Sequence, residues 1–308
     1  MIIGNQIINE LSKNIYQSDI VSSSHWNYYH KDFKFDGKNL YGLEGFGNLN
    51  KPYFGPLKFL HLLFQKRFRL LASNIKFFNK IDQIAENLAK KQNRAHNLDI
   101  IRQSLTVDFL NYNLDFRKLN TAIIIGDGFG TLSSILINSN LIKKFIIVNL
   151  TKTLLVDLFY IKKEIGEERF SKETILLKKK SDIDFITNEV KYIAIEGKNY
   201  NLLKFLKKDI VINIVSFQEM DKKIINNYFN YLYNDKSNKF YFYLCNREKK
   251  FLPDGSEIKF NEYPFLKDDQ VIIDELCPWN QNFYSLRPPF YRKYEGPVRH
   301  QLRLINSN

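Results

Sequence analysis

The chain has 308 residues, 44% hydrophobic and 26% charged, which excludes a fibre or an extended disordered protein, and no run of about 18 apolar residues suggests a membrane-spanning helix. Residues 1–16 lack the basic start, apolar block and cleavage site of a secretory signal, and Cys245 and Cys277 fit inert places in a reducing compartment, so a cytoplasmic location is expected, with peripheral attachment to the inner membrane face left open. The net charge of +13 would suit an acidic partner, but the lysines are scattered through a chain rich in Asn, Ile, Phe and Tyr, so AT-rich codon usage accounts for much of it.

Residues 22–55 are rich in glycine and aromatics: Ser24-His25-Trp26-Asn27-Tyr28-Tyr29, then Gly42, Gly45, Gly47, Pro52 and Gly55. They predict a long structured loop or a few short strands. His25 and His30, five apart, are a poor pair for zinc, and no metal site is expected. Next, Leu57, Leu60, Phe64, Phe68 and Leu71 recur at three- and four-residue spacing and predict a helix. Further helices are predicted over 80–92 and 97–112. Residues 1–112 read as a mainly helical N-terminal cap, and 113–308 as a second domain.

After Asn120 strands alternate with helices. Strands are predicted at 121–125, 145–148, 192–195 (with 174–177 competing), 209–215 and 239–244. Helices are predicted over 132–139 and 151–165 and from about 221. Near-continuous apolar strands separated by helices imply a parallel sheet covered on both faces. Residues 270–274 and 298–304 look like strands with no long helix between them, which suits an antiparallel pair at the sheet edge.

Gly126-Asp127-Gly128-Phe129-Gly130 follows the first of these strands and opens a helix. Glycines allow a sharp turn and a close ligand approach, and the helix start supplies free N–H groups. The sixth position is Thr131, so the dinucleotide fingerprint fails. The spacing instead resembles the first motif of the class I S-adenosylmethionine-dependent methyltransferases. Two positions depart from that superfamily: Ile124 and Asn149 stand where it usually has acidic residues. An amide at 149 accepts hydrogen bonds without charge assistance, so Asn149→Asp is expected to tighten cofactor binding. Asp127 reads equally as a compensating ligand and as a turn former bonded to its own backbone.

The C-terminal half carries Asn213-Ile214-Val215-Ser216-Phe217-Gln218-Glu219-Met220, Cys245-Asn246-Arg247-Glu248, Leu252-Pro253-Asp254-Gly255, Glu262-Tyr263-Pro264-Phe265, Asp274-Glu275-Leu276-Cys277-Pro278-Trp279, Tyr284-Ser285-Leu286-Arg287-Pro288-Pro289 and Gly296-Pro297-Val298-Arg299-His300. With the glycine turn, the Trp26 segment and the helix carrying Arg102, these resemble the bacterial sugar O-methyltransferase family over roughly residues 20–305. The resemblance implies an α/β, Rossmann-like class I methyltransferase fold. Its sheet would be mostly parallel and seven-stranded, with an antiparallel C-terminal edge. It implies S-adenosyl-L-methionine as cofactor, on Gly126, Asp127, Gly128, Phe129 and Gly130, with Asn149, Leu150, Ser216 and Gln218 alongside. A sugar or glycan acceptor, free or nucleotide- or lipid-linked, would meet Arg102, Asn246, Arg247, Glu262, Trp279, Tyr284 and Arg287.

O-methylation needs alignment and a base for the hydroxyl proton. Glu219, after the fourth strand at the ligand end of the sheet, is the first candidate, and His300 the second. Two other readings stay open. A nucleic-acid methyltransferase would suit the fold and charge, although no basic arm is seen and no nucleic-acid partner is expected. A methyltransferase-like binding protein without catalysis would suit Ile124 and Asn149.

Overall fold

A computed structural model describes residues 2–17, 19–45, 50–234 and 239–306. Gly47 of the glycine-rich stretch lies outside them. The chain builds a nine-stranded sheet from β1 (Ile2–Ile3), β2 (Thr121–Ile125), β3 (Lys144–Asn149), β4 (Thr174–Leu177), β5 (Tyr192–Glu196), β6 (Ile210–Ile214), β7 (Lys239–Arg247), β8 (Gln270–Leu276) and β9 (Val298–Asn306). Their spatial order is β1-β4-β5-β3-β2-β6-β7-β9-β8. The six strands from β4 to β7 in that order run parallel. β1 pairs antiparallel to β4, and β9 lies antiparallel between β7 and β8. The fold is thus α/β and Rossmann-like, with the expected antiparallel C-terminal edge, but the sheet has nine strands rather than the expected seven, because β4 and the short β1 extend its other edge. Residues 174–177 and 192–195, read as competitors, are adjacent strands of this sheet.

The helices are α1 (Asn5–Asn14), α2 (Ser24–Tyr29), α3 (Gly55–Arg69), α4 (Ile75–Lys91), α5 (Leu98–Asn113), α6 (Thr131–Asn138), α7 (Thr151–Ile165), α8 (Glu167–Glu173) and α9 (Lys222–Tyr233). Side chains alternate across a strand. Along β2, Ala122 and Ile124 therefore join the core under α4, α5, α6 and α7, while Ile123 and Ile125 join the opposite core with Phe229 of α9. Helices α4 and α5 share the first of these cores with the sheet, so residues 1–112 and 113–308 are packed about common apolar side chains. Asparagines start both helices: Asn74 Oδ1 accepts from Phe77 N and Asn97 Oδ1 from Ile100 N, each at 3.1 Å.

Residues 22–55 contain α2 and a hairpin, Lys34–Phe35 with Leu40–Tyr41. The 57–71 helix forms as α3, but its periodicity misreads the burial. Only Gln65 and Phe68 are buried, while Leu57, Leu60 and Leu71 are exposed. From β2 the chain runs out to β3 and β5 on one side and to β6 and β7 on the other. That reversal opens a crevice at the carboxyl ends of β2 and β6, where open α/β sheets bind ligands.

Candidate active site

A cavity of about 310 Å³ fills this crevice. Its floor is the turn after β2. Gly126, Gly128 and Gly130 all have φ between +59° and +78°, the left-handed region that glycine enters without cost. A Cβ on Gly126 would collide with the side chain of Ser216. Phe129 and Val215 also sit at positive φ, 65° and 57°, and both line the cavity. A β-branched residue at such φ is strained, and strain of this kind clusters at functional sites.

Asp127 lines the floor, but its carboxylate serves helix α6. It accepts from Leu132 N at 2.8 Å, Ser133 N at 3.1 Å and Ser133 Oγ at 2.5 Å. Burial pushes its carboxyl up to about 6. Gly130 does not line the cavity. Its missing side chain makes room for Ile161 of α7.

Asn149, at the end of β3, lines the cavity. Its amide faces the cavity but is already engaged. Nδ2 donates to Asp157 Oδ2 at 2.8 Å, and Oδ1 accepts from Thr153 Oγ1 at 2.6 Å and Leu150 N at 3.0 Å. Asp157 also accepts from Gly130 N at 3.3 Å, so it ties the two ligand-side turns together. Burial, then the nearby Asp127 charge, hold the Asp157 carboxyl well above the usual range. Asn149→Asp would set a carboxylate against Asp157 rather than free one for a ligand. It is expected to cost roughly 1–3 kcal/mol of stability at neutral pH. The loss should shrink as pH falls and one of the two carboxyls protonates. Asn149→Asp with Asp157→Asn restores one amide and one carboxylate, and thermal melts should show recovery. A single variant as stable as the wild type would refute this pairing. Leu150 does not line the cavity; it is the residue that precedes α7.

On the other side, the segment after β6 carries Ser216, Gln218 and Glu219 into the cavity wall. Gln218 accepts from Arg247 N at 2.7 Å, which spends its carbonyl on holding β7. Glu219 is nearly buried. Lys250 Nζ lies 3.0 Å and His25 Nε2 3.5 Å from its Oε1. Burial raises the Glu219 carboxyl, and the Lys250 charge opposes that rise. Burial, then Lys250 and Arg247, push His25 down to about 3, so its imidazole is neutral at pH 7. Trp26, beside His25 on α2, also lines the cavity.

Basic side chains complete the wall. Arg247 lies along it, with Nη1 3.4 Å from the exposed Glu295 and a buried Nε that has no hydrogen-bond partner among the described residues. Arg102 and Arg247 flank the ring of Tyr294 at 5.0 and 5.5 Å. Arg102 donates to Trp279 O, Asn282 O and Asp99 Oδ1 at 2.8–3.1 Å, so it clamps the 279–282 segment. Arg94 is buried over the Phe129 ring at 4.0 Å. Its Nη1 donates to Gln92 Oε1 and Thr131 Oγ1, while its buried Nε has no partner among the described residues. Burial lowers its guanidinium to about 10.

Several expected residues lie elsewhere. His300 is fully buried between Phe109, Trp279 and Tyr243, its Nδ1 3.1 Å from the Tyr243 hydroxyl, and it does not line the cavity. Trp279 is buried in the same cluster. Asn246 is buried beneath the wall, donating to Asn213 Oδ1 at 2.9 Å and accepting from Gln218 N. Glu262 pairs at the surface with Lys222 at 2.5 Å and Lys259 at 3.6 Å. The Tyr284 hydroxyl is held by His61 and Gln65 of α3. Arg287 is exposed in the loop of the hairpin formed by Asn282–Tyr284 and Tyr291–Lys293. The sequence reading missed His25, Arg94, Lys250 and Tyr294. Sequence spacing presents His25 only as a weak metal-ligand candidate, and no spacing rule marks the other three.

No family model matches the chain, and no curated protein matches it. Solved structures that resemble it include the methyltransferase domain of bacterial CtHen1, at 13% identity over 68% of this chain and 100% of that one, with a TM-score of 0.38. The mitomycin 7-O-methyltransferase MmcR resembles it at 10% identity over 67% of this chain and 56% of that one, TM-score 0.38. M. capricolum TrmK, in complex with S-adenosyl-homocysteine, does so at 14% identity over 65% and 68%, TM-score 0.34. Likeness this distant leaves function to be read from the site.

Proposed function

We propose that the chain is an S-adenosylmethionine-dependent O-methyltransferase acting on a sugar hydroxyl. The observation that carries the cofactor assignment is the glycine floor: two left-handed glycines, Gly126 and Gly128, at the carboxyl end of β2, lining a cavity that also holds a buried arginine whose Nε has no partner among the described residues. The residues present fit such a cofactor. The turn 126–130 offers backbone for close approach, and Arg94 offers a cation for an amino-acid carboxylate. The cofactor supplies an electrophilic methyl group. The acceptor would lie toward β6 and β7, against Arg247, Lys250, Trp26 and Tyr294. Aromatic faces and planar donors of this kind suit the C–H faces and hydroxyls of a sugar, and the resemblance in the tail motifs supports that substrate class.

Glu219 is the base in this reading. His25, held down by burial and two cations, is too weak to compete, whereas burial makes Glu219 a stronger base than an exposed carboxylate. Lys250 keeps Glu219 ionised and orients it.

Calorimetry with S-adenosylmethionine tests the cofactor assignment. The wild type is expected to bind, and Gly128→Val is expected to bind poorly or not at all, because a β-branched residue is strained at the φ of +64° found there and its side chain would take the space in which backbone and ligand approach. Undiminished binding by the variant would place the cofactor elsewhere.

A further inference from the structure

Helix α3 turns most of its apolar side chains away from the protein. Leu57, Phe59, Leu60, Leu62 and Leu63 are exposed, Phe59 at 67% and Leu63 at 53%. Phe54 before the helix and Leu70 after it extend the patch, at 77% and 67%. Contiguous apolar surface of this kind marks an interaction site. Its inner face is anchored, since Phe64 packs on Tyr284 and Phe290 of the neighbouring hairpin region. Phe290 is itself exposed, and Tyr294, just beyond that hairpin, lines the active-site cavity.

The charge around the patch selects its occupant. Residues 50–80 contain seven Lys and Arg and no Asp or Glu, and although Glu86 and Asp82 of α4 pair with Lys58 and Arg69, the other five basic residues leave the region cationic. Lys66 and Arg67 are exposed on α3 among the leucines. Arg287, Arg292 and Lys293 add to the same sign on the hairpin. A second copy docked through this face would set cation against cation. An anionic bilayer offers acyl boundary for the apolar side chains and negative headgroups for the basic ones.

The geometry points to α3 and the tip of the 282–293 hairpin as a docking surface for an anionic lipid bilayer. The helix lies flat in the headgroup region with Phe59 and Leu63 inserted. This surface does not depend on the cofactor assignment.

Co-sedimentation with vesicles tests it. The wild type is expected to sediment with equimolar phosphatidylglycerol and phosphatidylcholine, and not with phosphatidylcholine alone. Phe59→Ser with Leu63→Ser leaves the net charge unchanged, so it separates insertion from general attraction of a basic protein to an anionic surface. It is expected to weaken binding at least about tenfold without lowering the melting temperature, because both residues are exposed. Lys66→Glu with Arg67→Glu is expected to weaken it as well. Three results would each overturn the proposal: no binding by the wild type at low salt; undiminished binding by the serine variant; or a micromolar dimer, seen by light scattering, that the serine variant abolishes.

Discussion

Glu219→Gln is expected to bind S-adenosylhomocysteine like the wild type while kcat falls about 10²- to 10⁴-fold. Gln keeps the size and most of the hydrogen bonding of Glu but cannot take a proton. The loss is bounded because the transferred methyl is already activated and alignment alone supplies much of the acceleration. The carboxylate works only when ionised, so activity is lost as pH falls through its pKa. Burial raises that pKa and Lys250 only partly opposes the rise, so the acid limb of the wild-type profile should lie above the usual carboxylate range. The limb should vanish in the variant. A variant with wild-type kcat and an unchanged limb would shift the role to His25, whose Nε2 stands 3.5 Å from Glu219. His25→Asn would then show the loss instead.

Arg94→Met is expected to weaken S-adenosylhomocysteine binding by about 10- to 100-fold, the worth of one charge-assisted hydrogen bond. Arg94 is buried, and the Asp99 and Asp127 charges only partly offset the cost of burying its cation, which leaves its guanidinium below the usual range. An anionic group of the cofactor would offset that cost. The Met side chain keeps the contact over Phe129 and removes the charge, so the ligand-free variant should melt at the same temperature as the wild type or higher. Binding would fall while the fold held. Calorimetry and thermal melts on the same sample separate the two effects, and unchanged affinity would remove Arg94 from the cofactor site.

Much of the scaffold was legible because the strands are buried on both faces. Runs such as 121–125 and 145–148 are apolar throughout, and Gly126-Asp127-Gly128-Phe129-Gly130 marks the strand-to-helix turn without help from tertiary structure. The two-residue strand Ile2–Ile3 is too short to show a period, and only its pairing with β4 makes it a strand. Helix α3 shows a different limit. Periodicity reports that a helix has an apolar face, not what covers that face. His300 could have been placed: Val298, His300 and Leu302 alternate along β9, all buried, so the period of two sends the imidazole into the core with its neighbours. Asn149 lines the cavity, but its bonds to Thr153 and Asp157 of α7 come from the packing of that helix and no motif spacing announces them. Arg94 and Lys250 belong to no sequence pattern. Their meaning comes from the turn after β2 and the Glu219 carboxylate, which the fold brings to them from elsewhere in the chain.

The central claim is that this cavity transfers a methyl group to a sugar hydroxyl. Its most direct test is mass spectrometry of surface glycans and their precursors from three otherwise identical strains: one with the wild-type gene, one without it, and one carrying Glu219→Gln. The expected result is a glycan heavier by about 14 daltons, one methyl replacing one hydroxyl hydrogen, in the first strain only, with the label on a former hydroxyl oxygen of the sugar when the cell's methionine methyl is isotopically marked. Identical glycans in all three strains, with gene-dependent label found in nucleic acid instead, would contradict it.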